Sequence, residues 1–406
     1  MLLNYSIENY KSIKEKETIN FLAKPLKQHE EHLLNEKILP VIALYGPNGG
    51  GKTAILESIK ECQILIYEEN MFFIPKNKSL ENLKNDKLKP IKWEFTFLDD
   101  NNRELIYIVH FSNEIIFEEF KVKDNSISVN NETIIFRKDN SLKNDDVYYF
   151  NDELKNLKIN PSIFNNRKSL LFTFSIFFKI ELIENLSKEF KKITWIDNTF
   201  PLNKILDPFG NPIFNIGDVK IINDNKKMIL NIFKDLEINI TNINIEETTQ
   251  IMGPVIVTLC KKNLYDEEYW INYNNESNGT QKLIILLALL IKGIHNKDIF
   301  IIDELDSGIH TKVLKYLILM FTKNNKGAQL IFSSHDMPTL SSSIFRKDEI
   351  YFAAINDSKF TSIISLWEFG SDVREANNFA KTYLDGKLGY DPYVDYSLKG
   401  FNKNDE

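Results

Sequence analysis

GPNGGGKT, Gly46 to Thr53, fits the spacing G-x-x-x-x-G-K-[ST] of a phosphate-binding loop and sits where such a loop has to sit. VIALY, Val41 to Tyr45, precedes it as an unbroken apolar run, the pattern of a parallel strand buried on both faces. Ile55, Ile59, Cys62 and Ile66 follow at four-, three- and four-residue steps, which predicts a helix with one apolar face. Strand, glycine-rich turn and helix together place backbone N–H groups around an anion at the positive end of the helix dipole. In that cradle Asn48, Gly49, Gly50 and Gly51 would wrap a phosphate, Lys52 would add a full positive charge, and the Thr53 hydroxyl would ligate magnesium. At average residue usage the pattern arises by chance on the order of 0.01 times in a chain of this length.

The chain has 406 residues, 43% of them hydrophobic, and is long enough for more than one domain and a sizeable core. Its two cysteines, Cys62 and Cys260, make no disulfide framework and lack metal-ligand spacing, so both read as reduced core thiols in a cytoplasmic protein. The opening MLLNYSIENYK is too short in apolar residues for a signal peptide. No apolar run reaches the ~18 residues of a membrane span. The longest, Ser169 to Phe178 and Leu283 to Ile291, stop at Lys179 and Lys292 and are expected as buried helices. A net charge of −7 argues against a uniformly basic surface and leaves room only for local nucleic-acid contact.

Along the chain, LLNYSIENYKSIKEKETINF reads as two strands ahead of the loop strand. Beyond the first helix a polar stretch, Lys76 to Lys89, leads into IKWEFTFL, ELIYIVHF and IIFEEFKV, which predict an antiparallel meander. Apolar residues with charges at helical intervals from Lys168 to Ile193 predict a helical insertion, and Pro201, Pro208, Gly210 and Pro212 form the densest breaker cluster. Met228 to Leu236 is a further short helix, and strands return at PVIVTLC and YWINY. The expected organisation is an ATPase core in two parts, residues 1–70 and 250–406, with an antiparallel β subregion at 71–145 and a mainly helical insertion at 146–249. No internal repeat or sustained heptad pattern is visible.

IFIIDELD, Ile299 to Asp306, is an apolar run ending in acids, as expected of a strand delivering carboxylates to its C-terminal edge beside a phosphate loop. Asp303 would hold magnesium through water, and Glu304 would polarise the attacking water at the γ-phosphate. ESNGTQKLIILLALLI begins as a small polar turn and runs into an apolar helix. Ser277 and Gly279 at its start would suit an anion, although this stretch taken alone reads better as an ordinary N-cap by Ser277. AQLIFSSHD predicts a strand from Ala328 ending at His335, one helix after the acids.

In this order the four motifs resemble the ATPase heads of the ABC class, shared by transporters, SMC proteins and overcoming-lysogenization-defect nucleases. The resemblance implies an α/β P-loop NTPase with an ABC-type ATPase head, an antiparallel β lobe and a helical insertion lobe. It implies ATP and Mg2+ as cofactors, Ser277 and Gly279 as a signature touching the γ-phosphate of a second subunit, Asp306 as the D-loop acid and His335 as the switch histidine. ENYKSIKE, ESNGTQKL, DELDSGIH, QLIFSSHD, FRKDEIYF and the tail REANNFAKTYLDGKLGYDP are similar to stand-alone AAA-type/ABC ATPases of bacterial two-gene anti-phage systems, the relatives of AriA, of PtuA and of the ATPases paired with RloB-like proteins. That likeness implies slow ATP hydrolysis, a homodimer or a ring of dimers, and a separately encoded effector, a nuclease or RloB-like protein, held in check. The match is weak between about Asn70 and Pro254, and the resemblance does not place the Q-loop glutamine.

Competing classes are met by particular residues. The sole N-K-x-D stretch, Asn402 to Asp405, lies in a polar tail, which disfavours a GTPase. A transporter subunit carries a signature nearer LSGGQ than ESNGTQ, and an SMC head would interrupt the motifs with a long coiled coil. The residues after His335 read as two strands and a helix completing the head, with no Toprim nuclease expected. A RecF-like DNA-repair ATPase and a nucleotide-gated scaffold with little turnover remain as rivals.

Overall fold

The structure is a computed structural model that describes residues 1–67, 80, 89–124, 132–142, 147–159, 164, 168–196, 216–250, 253–264, 267–324, 326–372 and 379–389. The breaker cluster at 201–212, most of the polar stretch at 76–89, part of the tail motif and the N-K-x-D stretch lie outside the described residues.

A six-stranded sheet forms the centre. Its order is Thr361–Ser365, Ile350–Ile355, Val41–Tyr45, Gln329–Ser333, Ile299–Ile302 and Ile193–Ile196, parallel throughout except for the first strand. All five residues of Val41–Tyr45 are buried because both faces of the sheet are covered. Alternate side chains feed two cores: Ile42 and Leu44 with Ile301 and Ile331 on one face, Ala43 and Tyr45 with Ile302 and Phe332 on the other. Helices Asn278–Asn296 and Thr311–Asn324 cover the second face.

Helix Lys52–Tyr67 covers the first face and lies beneath a second sheet. Ile55, Ile59, Cys62 and Ile66 are buried as the spacing predicts. Each such aliphatic side chain contributes about 1.5–3 kcal/mol as an upper estimate. The second sheet has seven antiparallel strands, and Ile91, Trp93, Phe95 and Phe97 alternate inward along one of them. Trp93 Nε1 donates to the Ser58 carbonyl at 2.9 Å, and the Tyr5 and Ser58 hydroxyls are hydrogen-bonded, so helix and sheet are joined by polar pins within an apolar layer. The Phe190 ring, from helix Glu181–Lys191, stands edge-on to Phe95, Phe97 and Tyr107 at 5.0–5.3 Å.

The segment organisation departs from the expected boundaries in two places. Strands Leu2–Glu8 and Glu17–Asn20 pair into the antiparallel sheet, Leu2–Glu8 directly against Ile91–Leu98, so the opening residues belong to the β lobe and not to the parallel sheet. Ile193–Ile196 closes the edge of the parallel sheet beside Ile299–Ile302, so one strand from the mainly helical 146–249 stretch belongs to the parallel sheet. Strands Asn242–Gln250, Gly253–Leu264 and Glu267–Asn272 form a separate three-stranded sheet. The Phe-rich run Ser169 to Phe178 is largely a helix, Leu170–Phe177. The buried Glu118 carboxylate accepts its Leu170 and Leu171 N–H groups at 2.7 and 3.0 Å. An acid at that helix start satisfies donors the helix itself cannot. Leu170, Leu171 and Phe174 are core, whereas Ile176 and Phe177 are exposed.

Candidate functional site

The loop after Val41–Tyr45 is held by its neighbours as well as by its own glycines. A Cβ on Gly50 would stand 2.5 Å from the Ala353 carbonyl oxygen, and one on Gly51 would stand 2.1 Å from Thr361 Oγ1. Gly51 also takes φ +102°, a region L side chains rarely enter. Thr361 Oγ1 donates to the Gly50 carbonyl at 3.2 Å and is hydrogen-bonded to the Ser12 hydroxyl at 2.7 Å. The antiparallel edge strand and the N-terminal hairpin thus brace the loop from behind.

Lys52 opens the helix and is 6% exposed. Its ammonium donates to the Gly46 and Pro47 carbonyls at 2.8 and 3.0 Å. Burial lowers its pKa from the usual lysine value, opposed by the carboxylates of Asp303, Glu304 and Asp306. A desolvated cation satisfied by carbonyl oxygens is well prepared for an anion that would take their place.

The acids follow Ile299–Ile302 on a turn. The intervening strand Gln329–Ser333 separates the acidic strand from the loop strand, so the acids reach the loop across it. Thr53 Oγ1 donates to Asp303 Oδ2 at 2.7 Å. Ser333 Oγ donates to Asp303 Oδ1 and accepts the Glu304 N–H at 2.7 Å. Glu304 itself takes φ +48°, a left-handed conformation uncommon outside glycine and asparagine. Asn48 to Thr53, Asp303, Glu304 and His335 line one cavity of about 670 Å³.

Ser277, Gly279 and Asp306 do not line that cavity. Ser277 caps helix Asn278–Asn296, its hydroxyl accepting the Thr280 N–H at 3.2 Å, so the plain capping role is present whatever else it does. A Cβ on Gly279 would stand 2.5 Å from the Gly308 carbonyl oxygen, which puts the turn directly against the loop that follows the acids. Asp306 Oδ2 accepts the His335 N–H at 3.2 Å, and Oδ1 is buried without a hydrogen-bond partner among the described residues.

Several residues of the site escaped the sequence. Ser333 orders both acids, yet a serine at a strand end carries no local signal of that task. Thr361 and Ala353 lie about 300 residues from the loop they support, and only the sheet order brings them there. Lys282 donates to the Ser307 carbonyl at 2.8 Å, and burial lowers its pKa against the raising pull of Asp306 and Glu304. Its place in ESNGTQK, four residues into an apolar helix, was the one available clue.

The residues fit the groups that a phosphate loop takes. A hydroxyl and a carboxylate already 2.7 Å apart are hard oxygen donors of the kind magnesium prefers, and the buried Lys52 suits a phosphate. The family model described as "AAA domain, putative AbiEii toxin, Type IV TA system" matches residues 41–342, roughly three quarters of the chain. None of the curated proteins matches. Among solved structures, the SMC head domain from Thermotoga maritima is 13% identical with a TM-score of 0.42, covering 90% of this chain and 98% of that one. An SMC head bound to the C-winged helix domain of ScpA is 14% identical with a TM-score of 0.44, covering 90% and 97%. The Smc head with an extended coiled coil bound to the C-terminal domain of ScpA, derived from Pyrococcus furiosus, is 13% identical with a TM-score of 0.41, covering 91% and 97%. These likenesses are loose, and the α/β P-loop fold rests on the strand order, the loop geometry and the family match. Among the described residues, no helix is long and apolar enough to cross a membrane.

Proposed function

We propose that this chain, which belongs to the AAA-domain family whose model spans its residues 41–342, is an ABC-type ATPase that controls a separately encoded toxic effector in anti-phage defence. The observation that carries the ATPase reading is the convergence of Lys52, Thr53, Asp303, Glu304 and His335 on one cavity at the C-terminal edge of the parallel sheet. Lys52 and the loop N–H groups would take the β- and γ-phosphates of ATP, while Thr53 and Asp303 would hold magnesium, which would supply charge neutralisation there. Glu304 would accept a proton from water as the water oxygen bonds to the γ-phosphorus, and the bond from that phosphorus to the β-γ bridging oxygen would break to leave ADP and phosphate. His335 aligns the water or the γ-phosphate.

Ser277 and Gly279 stand outside their own cavity, which supports a head-to-tail homodimer in which each chain's signature turn closes the other's site. Lys282 ties the helix that this turn opens to the Ser307 carbonyl just after the acids, and Asp306 ties that same loop to the His335 N–H. The defence role is supported by the motif and tail resemblance and by the toxin–antitoxin wording of the family description.

The test has two parts. Lys52→Ala is expected to lose ATP binding, and wild-type binding in that variant ends the phosphate-loop reading. Cells carrying this gene with its chromosomal neighbour are expected to resist a phage panel only when both genes and Glu304 are intact. Full protection from this gene alone, or sensitivity to DNA damage on its deletion, favours a RecF-like repair role instead.

A further inference from the structure

Away from the nucleotide cavity, KQHEEH, Lys27 to His32, brings two imidazoles and a carboxylate together. One ring nitrogen of His29, one of His32 and one oxygen of Glu31 lie within 4.8 Å of one another. The His29 and His32 rings are stacked, with centroids 4.5 Å apart and planes at 10°. We propose that His29, Glu31 and His32 form a binding site for a divalent transition-metal ion of the zinc class.

The hydrogen bonds behind the rings carry the proposal. His29 Nε2 lies 2.8 Å from the Ser342 carbonyl oxygen, which can only accept, so that nitrogen bears the hydrogen. His29 Nδ1, 3.2 Å from Glu31 Oε1, then turns either a lone pair or a second proton toward a carboxylate. A cation shared by the two would satisfy that lone pair and the carboxylate together. His32 Nδ1 faces the buried Glu349 carboxylate at 3.3 and 3.4 Å, the arrangement that fixes the tautomer of a metal-bound histidine and leaves Nε2 to ligate.

Zinc ligated at about 2.0–2.2 Å needs its donors drawn closer than they stand. The means of closing are present: the His32 side chain is 1% exposed and fixed, whereas those of His29 and Glu31 are 21% and 63% exposed. Two nitrogens and one oxygen leave a fourth position for water. Imidazole ligands disfavour magnesium, which separates this site chemically from the oxygen pair of Thr53 and Asp303. The metal would clamp 29–32 onto 342–349, a junction where buried Arg346 already donates to Asp348 and to the carbonyls of Lys24 and Gln28.

The experiment uses the full chain, stripped with chelator, dialysed, and titrated with zinc chloride by calorimetry under excess magnesium chloride. A single equivalent is expected, together with a rise in melting temperature. Glu31→Gln, on the surface, and His29→Ala are each expected to weaken zinc binding at least tenfold. Their melting temperatures without zinc show whether the fold is intact. No binding at micromolar zinc overturns the proposal. Zinc bound as tightly by the folded Glu31→Gln variant as by the wild type overturns it as well, since the ion then sits elsewhere.

Discussion

Thr53 Oγ1 and Asp303 Oδ2 meet at 2.7 Å although 250 positions separate them. The bond spans from the first turn of helix Lys52–Tyr67 to the turn after the acidic strand, over the top of Gln329–Ser333. These are the two oxygens that would hold magnesium, the Thr53 hydroxyl as a ligand and Asp303 through water. Asp303→Asn is therefore expected to keep the fold and to lower magnesium-dependent ATP turnover by about 10²-fold or more, with the magnesium requirement shifted upward. Turnover measured across a magnesium series checks it, and an unchanged requirement removes Asp303 from the metal.

Glu304→Gln keeps the side chain's shape and removes its basicity. Nucleotide binding is expected to persist while hydrolysis falls about 10²–10⁴-fold, the range of a lost general base. His335→Ala is expected to slow turnover by less and to leave binding largely intact. Single-turnover kinetics with a fluorescent nucleotide separates the two steps. Loss of folding in His335→Ala, with full activity in whatever remains folded, would make that histidine structural.

A site shared between two chains predicts complementation. Ser277→Arg fills the space meant for a neighbour's γ-phosphate, and Lys52→Ala removes the phosphate cradle, so each variant alone is expected to be inactive. Mixed, they form dimers in which one of the two sites has an intact loop and an intact signature. Restored ATPase activity on mixing is the expected outcome. Mixtures as inactive as their parts place Ser277 outside the site, in its capping role alone.

Burial raises the Glu17 carboxyl to about 7, against the lowering effect of the Ile363 N–H that it accepts at 3.0 Å. A carboxyl raised on folding favours the protonated form, so its contribution is fully present below the unfolded value near 4.3 and is lost as pH rises through about 7. Glu17→Gln imitates the neutral acid. Its melting temperature relative to wild type is expected to climb between pH 5 and 8, and a flat difference over that window contradicts the shift.

The loop, the acids and the strand that leads to His335 were legible because each is a local pattern: an unbroken apolar strand, then polar residues at that strand's end. The meander was legible for the same reason, since Trp93, Phe95 and Phe97 alternate with polar residues. Partner choice was not. Leu2–Glu8 reads as a strand from its own residues, but its place beside Ile91–Leu98 is set by contacts across nearly ninety residues of chain. Ile193–Ile196 is only four residues long and follows a helix directly, too short for any period to declare itself. The bracing of Gly50 and Gly51 by Ala353 and Thr361 is a matter of sheet order, which no window along the sequence contains.

If Glu304 is the base proposed above, its positive φ sets the protein's stability against its turnover. A non-glycine residue held there costs on the order of 1 kcal/mol, and glycine or asparagine would relieve it. Selection for thermal resistance alone, with no demand for hydrolysis, would thus tend to drift toward Glu304→Asn, a chain that melts no earlier than its parent and turns over almost nothing. A library sorted by heat and then assayed for ATPase shows that drift directly. Persistence of glutamate through such sorting would mean the turn is held by something other than the chemistry it serves.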